Sequence, residues 1–256
     1  MTASDHLLNF IDARKFTFAP FPHPLHPDDT GDSGALQLAT SKTDPGVQYI
    51  VKNGYPELGC NEFLYHKIAA ALGLYTQEVK LFINKRYKNA AAVRYVPNAR
   101  LFDHSVASPE NREVYYGFEA LYYILNENDS HEYYLDASGR LFKLDNAASF
   151  KLDLSPAARA MDAMSGGAGM LNGINEPESE KYETAREFLI KGYGQEADKP
   201  YTDTFRRFAN LELKIFDEAF DALEKNYPFY IVGYLYDFIR HRIEACRQYV
   251  GGLSGQ

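Results

Sequence analysis

The chain has 256 residues, 45% of them apolar and 24% charged, which is enough to bury a core without disulfide or metal staples and excludes a disordered polymer. A formal net charge of -8 without any dense Lys/Arg run argues against a general nucleic-acid-binding surface and leaves room only for a local basic groove, so no direct nucleic-acid partner is expected. Cys60 and Cys246 stand outside any CxxC spacing, and the longest largely apolar run, Tyr227 to Tyr236, is too short for a bilayer; a soluble, unprocessed, cytoplasmic protein with no membrane partner is expected.

Taken in order, residues 1 to 29 carry a short apolar-periodic segment at Leu7, Leu8, Phe10 and Ile11. The stretch FAPFPHPLHPDD follows, and its four prolines predict an irregular arm. Alternating apolar residues on both sides of a turn at Thr43 to Gly46 predict an antiparallel hairpin that ends at Lys52. Gly31 and Gly34 at its head would let backbone amides approach a small anion, although glycines in that place also serve ordinary tight turns.

Phe63, Leu64, Ile68, Ala71 and Leu72 form a helical stripe, which predicts a helix from Asn61 as N-cap to a stop at Gly73, with Glu62 in its first turn. A strand Lys followed ten positions later by a helix Glu has the arrangement of an ion pair that holds a Lys over nucleotide phosphates. Further strands are predicted at Glu78 to Ile83 and Ala90 to Val96, completing a small sheet on one helix. Pro97 cannot donate to a ladder, so a boundary between two lobes, 1–97 and 98–256, is placed there.

Beyond the boundary, Val114, Phe118, Leu121, Tyr122 and Leu125 predict a helix over Pro109 to Leu125 that feeds a loop containing Asp129. YYLDA, the turn residues Ser138 and Gly139, and RLFKL then read as a hairpin with Asp129 before it and Asp145 after it. A hairpin brings its ends together, so these carboxylates are expected in one small volume, suited to orienting a nucleophile and holding a metal ion. Leu154 to Pro200 is glycine-rich and predicts a crossing loop with a short helix near Glu180 to Ile190. Two long amphipathic helices, Thr204 to Lys225 and Tyr230 to Tyr249, are predicted to follow.

The chain contains no GxxxxGK[ST] and no GxSxG. His131-Glu132 also lacks the second histidine of a zinc protease, because Leu135 stands in its place. What remains is an ordered series: glycines, strand Lys, helix Glu, linker, helix, Asp loop, hairpin and second Asp, the order of a two-lobed phosphotransferase.

Several of these segments carry a resemblance: SGALQ at Ser33 to Gln37, YIVK ending at Lys52, Asn61-Glu62, RYVPN at Arg94 to Asn98, NDSH at Asn128 to His131, and LDNAASF from Leu144. In them the chain resembles the C-terminal kinase module of the HipA-like serine/threonine kinases, from about Gly31 to Phe150, with an Asp-x-His loop that is also similar to phosphoinositide kinases. The resemblance implies an α+β, two-lobed protein-kinase-like fold, with a small antiparallel-sheet N-lobe carrying one main helix and a mostly helical C-lobe. The chain would then be a stand-alone kinase core.

The resemblance further implies ATP and Mg²⁺. Gly31, Ser33, Gly34, Lys52, Glu62, Tyr95 and Val96 would form the nucleotide-contacting set. Asp129, Lys52 and His131 would be the catalytic set, with Asp129 orienting the acceptor hydroxyl and Glu62 holding Lys52, while Asp145 would bind the metal. The family pattern would place an asparagine ligand at position 134, where this chain has Tyr134; either Glu132 or Asn146 substitutes as a metal ligand or metal binding is weaker.

Implied partners are a protein substrate phosphorylated on Ser or Thr, as by a toxin acting on translation, and an antitoxin or regulatory protein. Ser33, with Thr30 next, is the implied autophosphorylation site. A pseudokinase that binds nucleotide or partner without turnover, and a small-molecule or lipid kinase, are the alternative readings.

Overall fold

A computed structural model describes residues 9–21, 36–52, 56–83, 91–127, 132–147, 149–150 and 179–253. Its first part is a six-stranded sheet in the order β1-β5-β6-β4-β3-β2. The strands are β1 (Phe10–Ile11), β2 (Phe16–Pro20), β3 (Leu36–Ser41), β4 (Gln48–Lys52), β5 (Val79–Phe82) and β6 (Ala91–Arg94). Only β1 and β5 run parallel; the other pairs are antiparallel. Side chains alternate between faces with the period of two that a strand imposes. Val79, Leu81, Ala91 and Val93 join the main core, whereas Ala39, Tyr49, Val51, Phe82 and Ala92 face a smaller cluster with Ala13 and Phe16.

Helix α1 (Pro56–Ala71) covers the main-core face. It is buried nearly all round: Cys60, Phe63, Leu64 and Ile68 are at 0% exposure, and burying each large apolar side chain stabilises by about 1.5–3 kcal/mol. The same burial encloses Asn61, Glu62 and His66, so their polar atoms must find partners inside the protein.

The second part begins with β7 (Arg100–Leu101) and α2 (Pro109–Ile124), the latter capped by Ser108, whose Oγ accepts from Asn111 N at 3.3 Å, with Pro109 at its first position. Strands β8 (Glu132–Leu135) and β9 (Leu141–Leu144) form the expected hairpin and extend it to a three-stranded sheet, β7-β8-β9. Among the described residues four α-helices follow: α3 (Ser179–Tyr193), α4 (Asp198–Ala209), α5 (Asp217–Glu224) and α6 (Phe229–Leu253). Gly117 lets α2 lie close to its neighbours; a Cβ there would stand 2.9 Å from Leu74 Cδ2 and 3.3 Å from Thr204 Oγ1 on α4.

Four expectations change. The N-terminal region supplies β1 and β2, and Pro20 is tolerated in β2 because that strand lies at the sheet edge. Helix α1 starts at Pro56, so Asn61 is an interior residue and not its N-cap, and Glu62 lies beyond the first turn. The helix expected from Thr204 to Lys225 is broken. Asn210 ends α4, its Nδ2 donating back to Arg206 O at 2.9 Å, and a 3₁₀ turn at Leu213–Phe216 leads into α5. The sheet has six strands where four were expected, since two-residue and edge strands depend on their partners more than on their own pattern.

Candidate active site

The site is built where α1 meets the segment that leaves β9. Asp145 sits immediately after that strand with φ 54°, in the left-handed region, and is half-buried. Asn146, Ala147, Ser149 and Phe150 are then gripped from several sides. The backbone N–H of Asn146 donates to Glu62 Oε2 at 3.2 Å and its Nδ2 to Glu62 Oε1 at 3.4 Å. From the preceding helix position, Asn61 Nδ2 donates to the carbonyls of Ala147 (2.7 Å) and Ser149 (2.9 Å). Phe150 N donates to Leu125 O at 2.7 Å, and Tyr234 OH of α6 donates to Phe150 O at 2.9 Å. The Asn61-Glu62 pair is therefore the clamp that fixes the segment after the hairpin onto the sheet-bearing part of the molecule.

Glu62 also shares a hydrogen with His66 Nε2 at 3.0 Å, and His66 Nδ1 meets Thr76 Oγ1 at 2.6 Å. On the other side, the Lys143 ammonium of β9 pairs with Glu127 Oε1 just beyond the end of α2, with both side chains at 0% exposure. Lys143 donates as well to Asn146 Oδ1 at 3.0 Å and lies 5.7 Å from the centre of the Tyr65 ring. A continuous polar chain thus runs Glu127, Lys143, Asn146, Glu62, His66, Thr76, buried as far as His66 and ending on the half-buried Thr76, tying the end of α2, β9 and α1 together. Burial, reinforced by Glu127, Glu119 and Glu62, pushes the Tyr65 hydroxyl far above the ordinary tyrosine range. Burial beside Glu119 does the same to Tyr133, which stays a donor to Glu119 Oε1 at 2.7 Å.

Of the sequence-predicted residues, Glu62, Asp145 and Asn146 are brought together. Lys52 closes β4, its backbone opposite Leu36 and Ala91. Tyr95 N donates to Gln48 O at 2.9 Å, and Tyr95 and Val96 are half-exposed at the exit of the sheet. Glu132 opens β8 opposite Leu144, and Tyr134 lies on the same strand with its ring stacked on that of Phe142, the two centroids 6.1 Å apart. Gly31, Ser33, Gly34, Thr30, Asp129 and His131, together with the Lys52 side chain, lie outside the described residues. Among the described residues no three His, Cys, Asp or Glu side chains converge as a metal cluster.

Sequence reasoning missed Lys143, Glu127, His66 and the role of Asn61. A signal for Lys143 was present: the period of two puts it on the strand face of Leu141, and the hairpin register sets it opposite Tyr133, both of them core residues.

The chain matches no family model, and no curated protein sequence matches it. Among solved structures it is similar to the Helicobacter pylori proinflammatory kinase CtkA, with a TM-score of 0.53, 15% identity, and coverage of 86% of this chain and 95% of that one. The likeness is one of fold: a mixed α+β, kinase-like architecture.

Proposed function

We propose that this chain is a kinase-like phosphotransferase that moves the γ-phosphoryl group of ATP to a hydroxyl acceptor. The observation that carries the reading is the clamp of Asn61 and Glu62 on the segment following Asp145. A phosphotransferase of this kind needs a helix Glu on the nucleotide side and a metal-binding Asp after a hairpin held in fixed relation, because its catalysis is mainly positioning and charge neutralisation. In this reading Lys52 and the Gly31 to Gly34 segment contact the phosphates, Tyr95 and Val96 border the nucleotide, and Asp129 with His131 orients the acceptor hydroxyl.

Magnesium fits the donor chemistry of Asp145, a half-buried carboxylate residue next to a fully buried network. Glu132 would supply a second hard oxygen donor in place of the asparagine that position 134 lacks. Asn146 suits it less, because its Oδ1 already accepts from the Lys143 ammonium at 3.0 Å. When bound, the ion would neutralise phosphate charge; the chain's own part is to hold Asp145 in place and to keep the acceptor oriented. The choice of Ser or Thr on a protein, and a toxin role with an antitoxin partner, rest on the HipA-like resemblance.

Tyr134 favours a second reading, nucleotide or partner binding without turnover. Its ring is engaged in stacking on Phe142, and a phenol is a poor magnesium ligand. Label transfer from γ-labelled ATP separates the two. The wild type is expected to label itself or a protein acceptor, and Asp129→Asn to abolish labelling while ATP affinity stays within a few-fold. Wild-type turnover in Asp129→Asn removes Asp129 from catalysis, and a wild type that binds Mg·ATP without any transfer selects the pseudokinase.

A further inference from the structure

We infer that Lys143 is a positioning residue that fixes the backbone of Asp145, and with it the carboxylate offered to the metal; this rests on the phosphotransferase reading above. The left-handed backbone at Asp145, φ 54°, carries a cost that aspartate bears better than most residues with a Cβ but glycine escapes, and its surroundings hold it there. The groups that do so are on both sides. Lys143 Nζ lies 3.4 Å from the carbonyl oxygens of both Leu144 and Asp145, and 3.0 Å from Asn146 Oδ1. Glu62 Oε2 takes the next N–H, that of Asn146, at 3.2 Å. The two peptide groups flanking the Asp145 α-carbon, through the Leu144 carbonyl, the Asp145 carbonyl and the Asn146 N–H, are thus all held by two buried charged side chains.

An ammonium suits this task. It presents three donors from a single point, and here they are divided between the Glu127 carboxylate, the Asn146 amide oxygen and the pair of carbonyls. Its burial is costly, and pairing with Glu127 inside the core offsets that cost without fixing a metal or touching the acceptor. A hydrophobic residue would fill the same space and hold no carbonyl. Partners behind a metal ligand of this sort are commonly worth about 10- to 100-fold in metal affinity.

The test removes the charge pair as a unit, Glu127→Gln with Lys143→Met, so that no lone buried charge is left. ATP affinity is measured by calorimetry with Mg²⁺ and with a chelator, for wild type and variant. The variant is expected to lose about 10- to 100-fold of the Mg²⁺-dependent gain while its metal-free ATP affinity is unchanged; an unchanged gain overturns the inference. A second arm reads folding without any ligand. Asp145→Gly removes the Cβ penalty that Lys143 enforces, so it should stabilise the wild type more than it stabilises the Glu127→Gln/Lys143→Met protein, whose backbone is free to relax, by about fivefold or more in the folding constant. Equal gains in the two backgrounds would mean that Lys143 only fills the core. Should the paired variant fail to fold, the same two comparisons are made on Lys143→Arg, which keeps the charge opposite Glu127 but moves the donors away from the carbonyls; an unchanged Mg²⁺-dependent gain with equal glycine gains overturns the inference. A wild type with no Mg²⁺-dependent gain defeats the phosphotransferase reading, and the glycine comparison still decides whether Lys143 holds the backbone.

Discussion

Asp136, at the head of the hairpin turn, has its chemistry set by four hydrogen bonds from its neighbours. Its carboxylate accepts from Ser138 N (2.8 Å), Ser138 Oγ (2.6 Å), Arg140 N (3.0 Å) and Arg140 Nε (3.1 Å). Burial alone would raise its pKa, but the hydrogen bonds from Ser138, Arg140 and Tyr75 prevail and hold it well below the usual carboxylate range. A depressed folded-state pKa contributes stability that is fully present above the ordinary Asp value of about 4 and is lost as pH falls through the lower folded value. Asp136→Asn is therefore expected to lower stability at neutral pH and to flatten the decline below about pH 4, measured by urea unfolding across pH. Parallel pH curves for the two proteins would show that the turn, and not its charge, does the holding. In the sequence Asp136 is one residue of the extended YYLDA stretch, without the flanking pattern that points to Asp129 and Asp145. Its structural task depends on Arg140 folding back four residues later, which alternation does not encode.

Among the secondary-structure elements, the turn of the hairpin β8-β9 is held to α2 through Asn111. Asn111 Nδ2 donates to Gly139 O at 2.8 Å while its Oδ1 accepts from Leu141 N at 3.2 Å, so the first turn of α2 reads both edges of the β8-β9 turn. Gly139 has φ +83°, and a Cβ added there would meet nothing within 4 Å, so Gly139→Ala is a pure backbone test. It is expected to cost about 1–2 kcal/mol in denaturant unfolding; a neutral result would mean that the turn relaxes to another type. This hairpin and α2 were legible in the sequence because their patterns are long, regular and bounded by Ser138-Gly139 and Ser108-Pro109. The start of α1 was not read correctly, although Pro56 stands where a first helical residue tolerates proline. The break between α4 and α5 was missed because Phe205, Phe208, Phe216 and Phe220 are all buried and keep an apolar rhythm across the interruption at Asn210.

Across the molecule, the sheet with α1 and the helical part share one main core, and the polar chain from Glu127 to Thr76 crosses between them. The ordered motifs anticipated the kinase-like architecture, because the order of strand, helix, hairpin and Asp is set by topology. The polar chain was out of reach of periodicity, since it joins residues 127, 143, 146 and 62 that only the fold makes neighbours. The function proposed for the whole molecule depends on Asp145 presenting a carboxylate to a nucleotide-bound metal from this scaffold. Calorimetric titration of ATP into wild type and Asp145→Asn, each with and without Mg²⁺, addresses that dependence without an acceptor having to be known. Mg²⁺ is expected to tighten ATP binding by the wild type, and Asp145→Asn to lose most of that gain, by about tenfold or more, with metal-free binding unaltered. Equal Mg·ATP affinity in the two proteins, or no ATP binding by the wild type, would contradict it.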